Sequence, residues 1–164
     1  MVLILGGCGP KLTSEFLVDI PSGWIIPDSA SEYYDMSLDD AYPLFSGDPS
    51  IDFIKNSTKV FFFAYENDPE TVDWRDNAYV LCYSKKLKDG SVSALDTFLD
   101  HSTLTLEVDG VRMRGITEKD QQEKVVYLGK RGNLILLLQY AYSNRTQRES
   151  IDLMVQSIKF GNSV

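Results

Sequence analysis

Over most of the chain, apolar residues either alternate with polar ones or run in short unbroken blocks, a strand pattern, and only a few stretches take helical spacing. Residues 15–20 read as a strand stopped by Pro21-Ser22-Gly23 before Trp24, since proline and glycine together make a turn. Residues 58–65 are β-branched and aromatic without a breaker, which predicts a central strand covered on both faces. A polar, acidic stretch from Glu66 to Asn77 is long enough to be a loop in its own right, and residues 77–84 read as the next strand. Leu104, Leu106 and Val108 alternate up to Asp109-Gly110, a hairpin signal, beyond which Val111, Met113 and Ile116 continue the pattern. Residues 124–128 and 134–142 flank a second hairpin at Gly129-Lys130-Arg131-Gly132-Asn133.

Two helices stand out. Ser93 and Asp96 are spaced as a capping box, and Val92, Leu95, Phe98 and Leu99 recur at helical intervals, which predicts an amphipathic helix over 91–102. Thr146 and Glu149 form a second capping box ahead of Ile151, Met154, Val155 and Ile158, an i, i+3, i+4, i+7 stripe that places a C-terminal helix on a sheet. Residues 28–57 mix Ser, Asp, Pro and aromatics, with short helical turns predicted at Ser37, before Pro43, and at 50–54. This order of elements is α+β, an antiparallel sheet flanked by helices rather than a βαβ alternation.

A chain of 164 residues with 43% apolar content buries one good core, so a single domain is expected. The net charge of −8 argues against a nucleic-acid partner, which requires a surplus of Lys and Arg on one face. That charge is uneven. Residues 1–100 carry 17 acids and 7 bases, whereas residues 101–164 carry 7 and 9. The only histidine, His101, excludes a zinc site with two histidine ligands. It also lies directly between Asp100 and Ser102, where sequence neighbours cannot form a catalytic triad, and reads instead as a helix-end residue. Glu66, Asp68, Glu70, Asp73 and Asp76 do not follow the spacing of an EF-hand loop, and Gly6-Gly7-Cys8-Gly9 lacks the helix and acidic residue of a dinucleotide site. No catalytic residue, metal or cofactor is expected.

The first residues run apolar from Val2 to Leu5 and end in Gly6-Gly7-Cys8, with no charge before Lys11. Leu5-Gly6-Gly7-Cys8 resembles the bacterial lipobox, in which small residues precede a cysteine whose thiol carries diacylglycerol. This assigns 1–8 as a lipoprotein signal-like segment with Cys8 as the lipidation site, 9–14 as a tether and 15–161 as the domain. The apolar run is shorter than a full signal peptide and has no basic segment before it. The competing reading is a short edge strand with an ordinary thiol. The other cysteine, Cys82, falls in a strand-like run where a thiol serves as a small hydrophobe. No segment has the apolar length of a spanning helix, so the membrane contact expected is the N-terminal lipid alone.

Phe16-Leu17-Val18-Asp19-Ile20-Pro21-Ser22-Gly23-Trp24 resembles the opening strand and P-x-G-W turn of the PsbP-like domain family. Residues 134–142 followed by 151–160, ending Ser157-Ile158-Lys159-Phe160, are similar to that family's last strand and final helix. The resemblance implies an α/β/α sandwich around an antiparallel sheet, shared with bacterial envelope lipoproteins of the LpqN and DcrB type. It also implies a non-enzymatic role, binding a protein partner. The expected protein is a monomeric, lipid-anchored envelope domain outside the cytoplasm; the alternative is a cytosolic chaperone or adaptor of the same fold. Asp73, Trp74 and Asp76 are the candidate partner contacts, because a tryptophan set among acids offers a large anchor that attracts a basic surface.

Overall fold

The structure, a computed structural model, describes residues 16–26, 58–68, 71–72, 76–86, 100–119, 121–132 and 134–160. Its centre is a six-stranded antiparallel sheet built from β2 (Thr58–Tyr65), β3 (Tyr79–Lys86), β4 (Leu104–Val108), β5 (Val111–Lys119), β6 (Glu123–Arg131) and β7 (Leu134–Tyr142). The spatial order is β2-β3-β7-β6-β5-β4. A helix, α1 (Arg145–Ser157), follows β7. A separate two-stranded ribbon joins β1 (Phe16–Leu17) to β8 (Lys159–Phe160) at the other end of the chain. The class is α+β, as the order of apolar patterns predicts.

The register gives the sheet two distinct ends. At one, Lys86 pairs with Leu134, Leu134 with Arg131, and Val108 with Val111, so the β4–β5 and β6–β7 turns lie together. We call it the turn end. At the other, Tyr65 pairs with Tyr79, Tyr79 with Ala141, and Glu123 with both Tyr142 and Lys119. The connection from β2 to β3 leaves there, so it is the loop end.

One face of the sheet packs on α1. Phe62, Val80, Cys82, Met113, Leu136 and Leu138 meet Ile151, Met154, Val155 and Ile158 of the helix in a single buried cluster. Within it Gly115 is opposite Tyr127, where a Cβ would stand 2.6 Å from both the tyrosine ring and the Val126 carbonyl, so only glycine admits the ring. The opposite face, including Phe63, Leu81, Tyr83, Leu128 and Leu137, is equally buried. A strand covered on both sides has no polar alternation, which accounts for the unbroken apolar run Leu134–Leu138 of β7.

Several sequence expectations are corrected. β2 is an edge strand of this sheet, not a central one. Its outer edge is met at one end by Ile25, whose N–H and carbonyl bond Tyr65 at 2.8 and 3.0 Å, and its middle is bulged between Val60 and Phe62. Such devices protect an edge that would otherwise recruit another strand. The strand predicted over 15–20 shrinks to two residues, because its partner is not the main sheet but the short segment after α1. That helix ends at Ser157. Ile158 is already extended (ψ 128), so the final helix expected through Phe160 gives way to β8.

The capping box expected at Thr146 and Glu149 is displaced by two residues. Asn144 is the N-cap, its Oδ1 accepting the Gln147 N–H, and Gln147 Oε1 in turn accepts the Ser143 N–H at 2.7 Å. The second hairpin is tighter than expected, with β6 running on through Arg131. Asp109 and Gly110 do form the predicted turn, with φ 48 and 75, the double positive φ of a type I′ turn. The helix predicted over 91–102 lies mostly outside the described residues, of which Asp100 and His101 are helical and exposed.

Candidate functional site

Three buried, hydrogen-bonded polar side chains, Asn77, Gln122 and Gln147, gather at the loop end, around the neck of the 66–77 connection. There the chain leaves β2 and re-enters β3 side by side. Glu66 N–H donates to the Ala78 carbonyl at 2.9 Å, and Asn67 N–H donates to Asn77 Oδ1 at 3.0 Å. Asn77 Nδ2 completes the pair by donating to the Asn67 carbonyl at 2.5 Å. Asn77 is only 3% exposed, so it closes the neck as a backbone mimic rather than as a surface residue.

This neck is stitched to two other elements. The Glu66 carboxylate accepts Gln147 Nε2 of α1 at 2.6 Å, and Gln122, in the β5–β6 turn, donates through Nε2 to the Asn77 carbonyl at 3.0 Å. The helix carries no acidic residue in its own first turn, so Glu66 supplies a negative charge next to its positive end. Beyond the neck the chain turns at once: the Asp68 carbonyl accepts the Thr71 and Val72 N–H groups and the Thr71 hydroxyl. Asp68 and Asp76 are exposed on either side.

Beside the neck, Tyr127, Tyr140 and Tyr142 line the α1 face in a row. The rings of Tyr140 and Tyr142 stack at 6.3 Å, and the hydroxyls of Tyr127 and Tyr140 are hydrogen-bonded to each other. Burial, reinforced by the Glu123 carboxylate that its hydroxyl bonds, pushes the Tyr142 phenol up to about 12, while the Arg148 guanidinium lies 5.7 Å from the ring centroid. Burial likewise raises Tyr127 and Tyr140. These hydroxyls therefore stay neutral and act as hydrogen-bond groups.

Of the sequence-derived candidates, Asp76 is placed at the neck, one residue from the closing Asn77, whereas Asp73, Trp74 and Cys8 lie outside the described residues. Cys82 is a free, fully buried thiol, pushed well above the usual cysteine range by burial, as a strand-core hydrophobe should be. Among the described residues no three His, Cys, Asp or Glu side chains come together as metal ligands, and no helix is long and apolar enough to cross a membrane. Asn67, Gln122 and Gln147 carry the geometry and were not singled out in the sequence. The available signal was an asparagine close to each end of the acidic stretch.

No family model and no curated protein matches the sequence. A crystal structure of a protein from Bacteroides thetaiotaomicron is similar in backbone course, with a TM-score of 0.49 at 10% identity, covering 88% of this chain and 44% of that one. The chain thus spans less than half the length of that protein.

Proposed function

We propose that this chain is a non-enzymatic binding domain of the PsbP-like type, lipid-anchored through Cys8 in a bacterial envelope, which presents its acidic loop to a basic protein partner. The observation that carries this reading is the closed neck. A connection of this length is uncommon in a compact domain unless it has work to do, and here buried asparagine and glutamine side chains hold its base to a helix and to a neighbouring hairpin. Asp68 and Asp76 are thereby fixed at the two shoulders of a loop that also contains Asp73 and Trp74. Burial of both faces of the sheet supports the sandwich that the terminal motifs resemble, and Leu5-Gly6-Gly7-Cys8 supports the anchor.

The test is crosslinking and recovery of partners by the full chain in its native membrane, comparing wild type with Trp74→Ala and with Asp73→Asn/Asp76→Asn. Long-range attraction predicts recovery that falls severalfold in both variants and falls again when salt is raised from about 20 mM to about 150 mM. Equal recovery from all three at both salt concentrations would make the loop a solvated surface only.

A further inference from the structure

The path of the chain sets the two ends of the sheet apart. Phe16 of β1 pairs with Phe160, and Phe160 is held at the turn end: its N–H donates to Asp109 Oδ2 at 2.8 Å, and its carbonyl accepts Arg131 Nη1 at 3.4 Å. The chain then passes Asp19, whose N–H donates to Ser157 Oγ, and reaches Tyr65 at the loop end through Ile25. The described chain therefore begins at the end of the molecule opposite the acidic loop.

That turn end is basic. Arg112 and Lys130 are exposed on β5 and β6, and Arg131 and Lys159 converge on Asp109 at 4.0 and 3.4 Å. Among the described strand and turn residues of this end, only Glu107 and Asp109 offset them. Beside Lys159 in the ribbon register stands Leu17, an apolar side chain left 48% exposed. Among the described residues of the loop end the balance reverses, with Glu66, Asp68, Asp76, Glu118 and Glu123 against Lys119 and Lys124, while Arg145 is paired with Glu149 at 2.7 Å and Arg148 with Asp152 at 3.8 Å.

We infer that the turn end is a docking face for an anionic lipid surface, laid down beside the point where the tether enters the fold. The biological setting rests on the reading of residues 1–8 as an anchor. A chain of net charge −8 is repelled by anionic lipid as a whole, so contact requires orientation. The eight residues of β3 span about 23 Å, nearly three Debye lengths of about 8 Å at physiological salt. At that distance the acids of the loop end are screened from a membrane against which the basic end rests. Leu17 then meets the interface beside Lys159, the pairing of an apolar contact with a basic one that interfacial binding uses. The neck formed by Glu66, Asn67 and Asn77 then faces away from the membrane.

The experiment uses the full chain as Cys8→Ser, so that no lipid contributes, with vesicles of equal parts phosphatidylglycerol and phosphatidylcholine against phosphatidylcholine alone. Co-sedimentation with the anionic vesicles only, weaker at about 150 mM than at about 20 mM salt, is the expected result. Arg112→Gln/Lys130→Gln should lower the partition coefficient about 25-fold, roughly fivefold for each charge removed. Arg145→Gln, an exposed base at the far end, should leave it unchanged, with circular dichroism confirming that each variant is folded. Equal binding to neutral vesicles, no binding at low salt, or an equal effect of Arg145→Gln would overturn the inference. So would retention on duplex DNA without vesicle binding, which would make the face a general polyanion surface. Analysis of Cys8 in the native protein separates the two readings. An unmodified Cys8 with vesicle binding intact removes the anchor alone, and a lipidated Cys8 with no vesicle binding removes the docking face alone.

Discussion

Tyr142 illustrates how one side chain reports its surroundings. Its phenol is buried on the α1 face and bonds the Glu123 carboxylate, and these two effects outweigh the opposing Arg148 guanidinium and hold its ionisation up at about 12. In the unfolded chain a tyrosine ionises near its ordinary value of about 10. Folding therefore favours the neutral hydroxyl, and the stability this contributes is present below about pH 10 and lost as pH rises through about 12. The urea midpoint of the wild type should fall between about pH 9 and about pH 11.5, and the fall should be shallower in Tyr142→Phe. A wild-type midpoint that stays level over that range, or an equally steep fall in the variant, would contradict the assignment.

At the scale of elements, the loop neck is a joint between β2, β3, α1 and the β5–β6 turn, and the Asn77 side chain makes the two hydrogen bonds that close it onto Asn67. Asn77→Ala leaves the Asn67 N–H and carbonyl without their partners in a part-buried setting, at a cost of about 1–3 kcal/mol. The expected outcome is a lowered urea midpoint together with faster hydrogen exchange at the Asn67 amide, and unchanged exchange there would show that the neck is held by something else. The strands themselves were legible in the sequence because β-branched and aromatic runs, the Asp109-Gly110 turn and the Ile151–Ile158 stripe are local signals. Pairing was not. Nothing in Phe16-Leu17 says that its partner is Lys159-Phe160, and nothing in an apolar block such as 58–65 distinguishes an edge strand with its own protection from a central one. The capping residue was missed for a related reason: Thr146 and Glu149 have the spacing of a box, but Asn144 and Gln147 have it too, and only the latter pair has Glu66 and Ser143 N–H within reach. Of the candidate site, the acidic stretch was legible from its composition, whereas the amides that close it depend on contacts such as Glu66 with Gln147, 81 residues apart.

For the whole molecule, charge and chain path agree. Within the described residues the chain runs from the turn end to the loop end at Ile25, and α1 leads back to the β1–β8 ribbon. Force on an N-terminal tether would thus load a two-residue ribbon backed by Phe16, Phe61 and Phe160, whose rings lie 5.2–6.1 Å apart, before it reached the main sheet. On the proposed reading, an anchor at that end and an acidic connection at the other would make a domain that stands on a membrane and faces outward, and the anchor in that picture depends on Cys8. Mass spectrometry of the protein isolated from its native membrane is the most direct measurement. The account predicts a mature chain beginning at Cys8 with a diacylglyceryl group on its sulfur; a chain that retains residues 1–7 with an unmodified Cys8 thiol, recovered from the aqueous fraction, would contradict it.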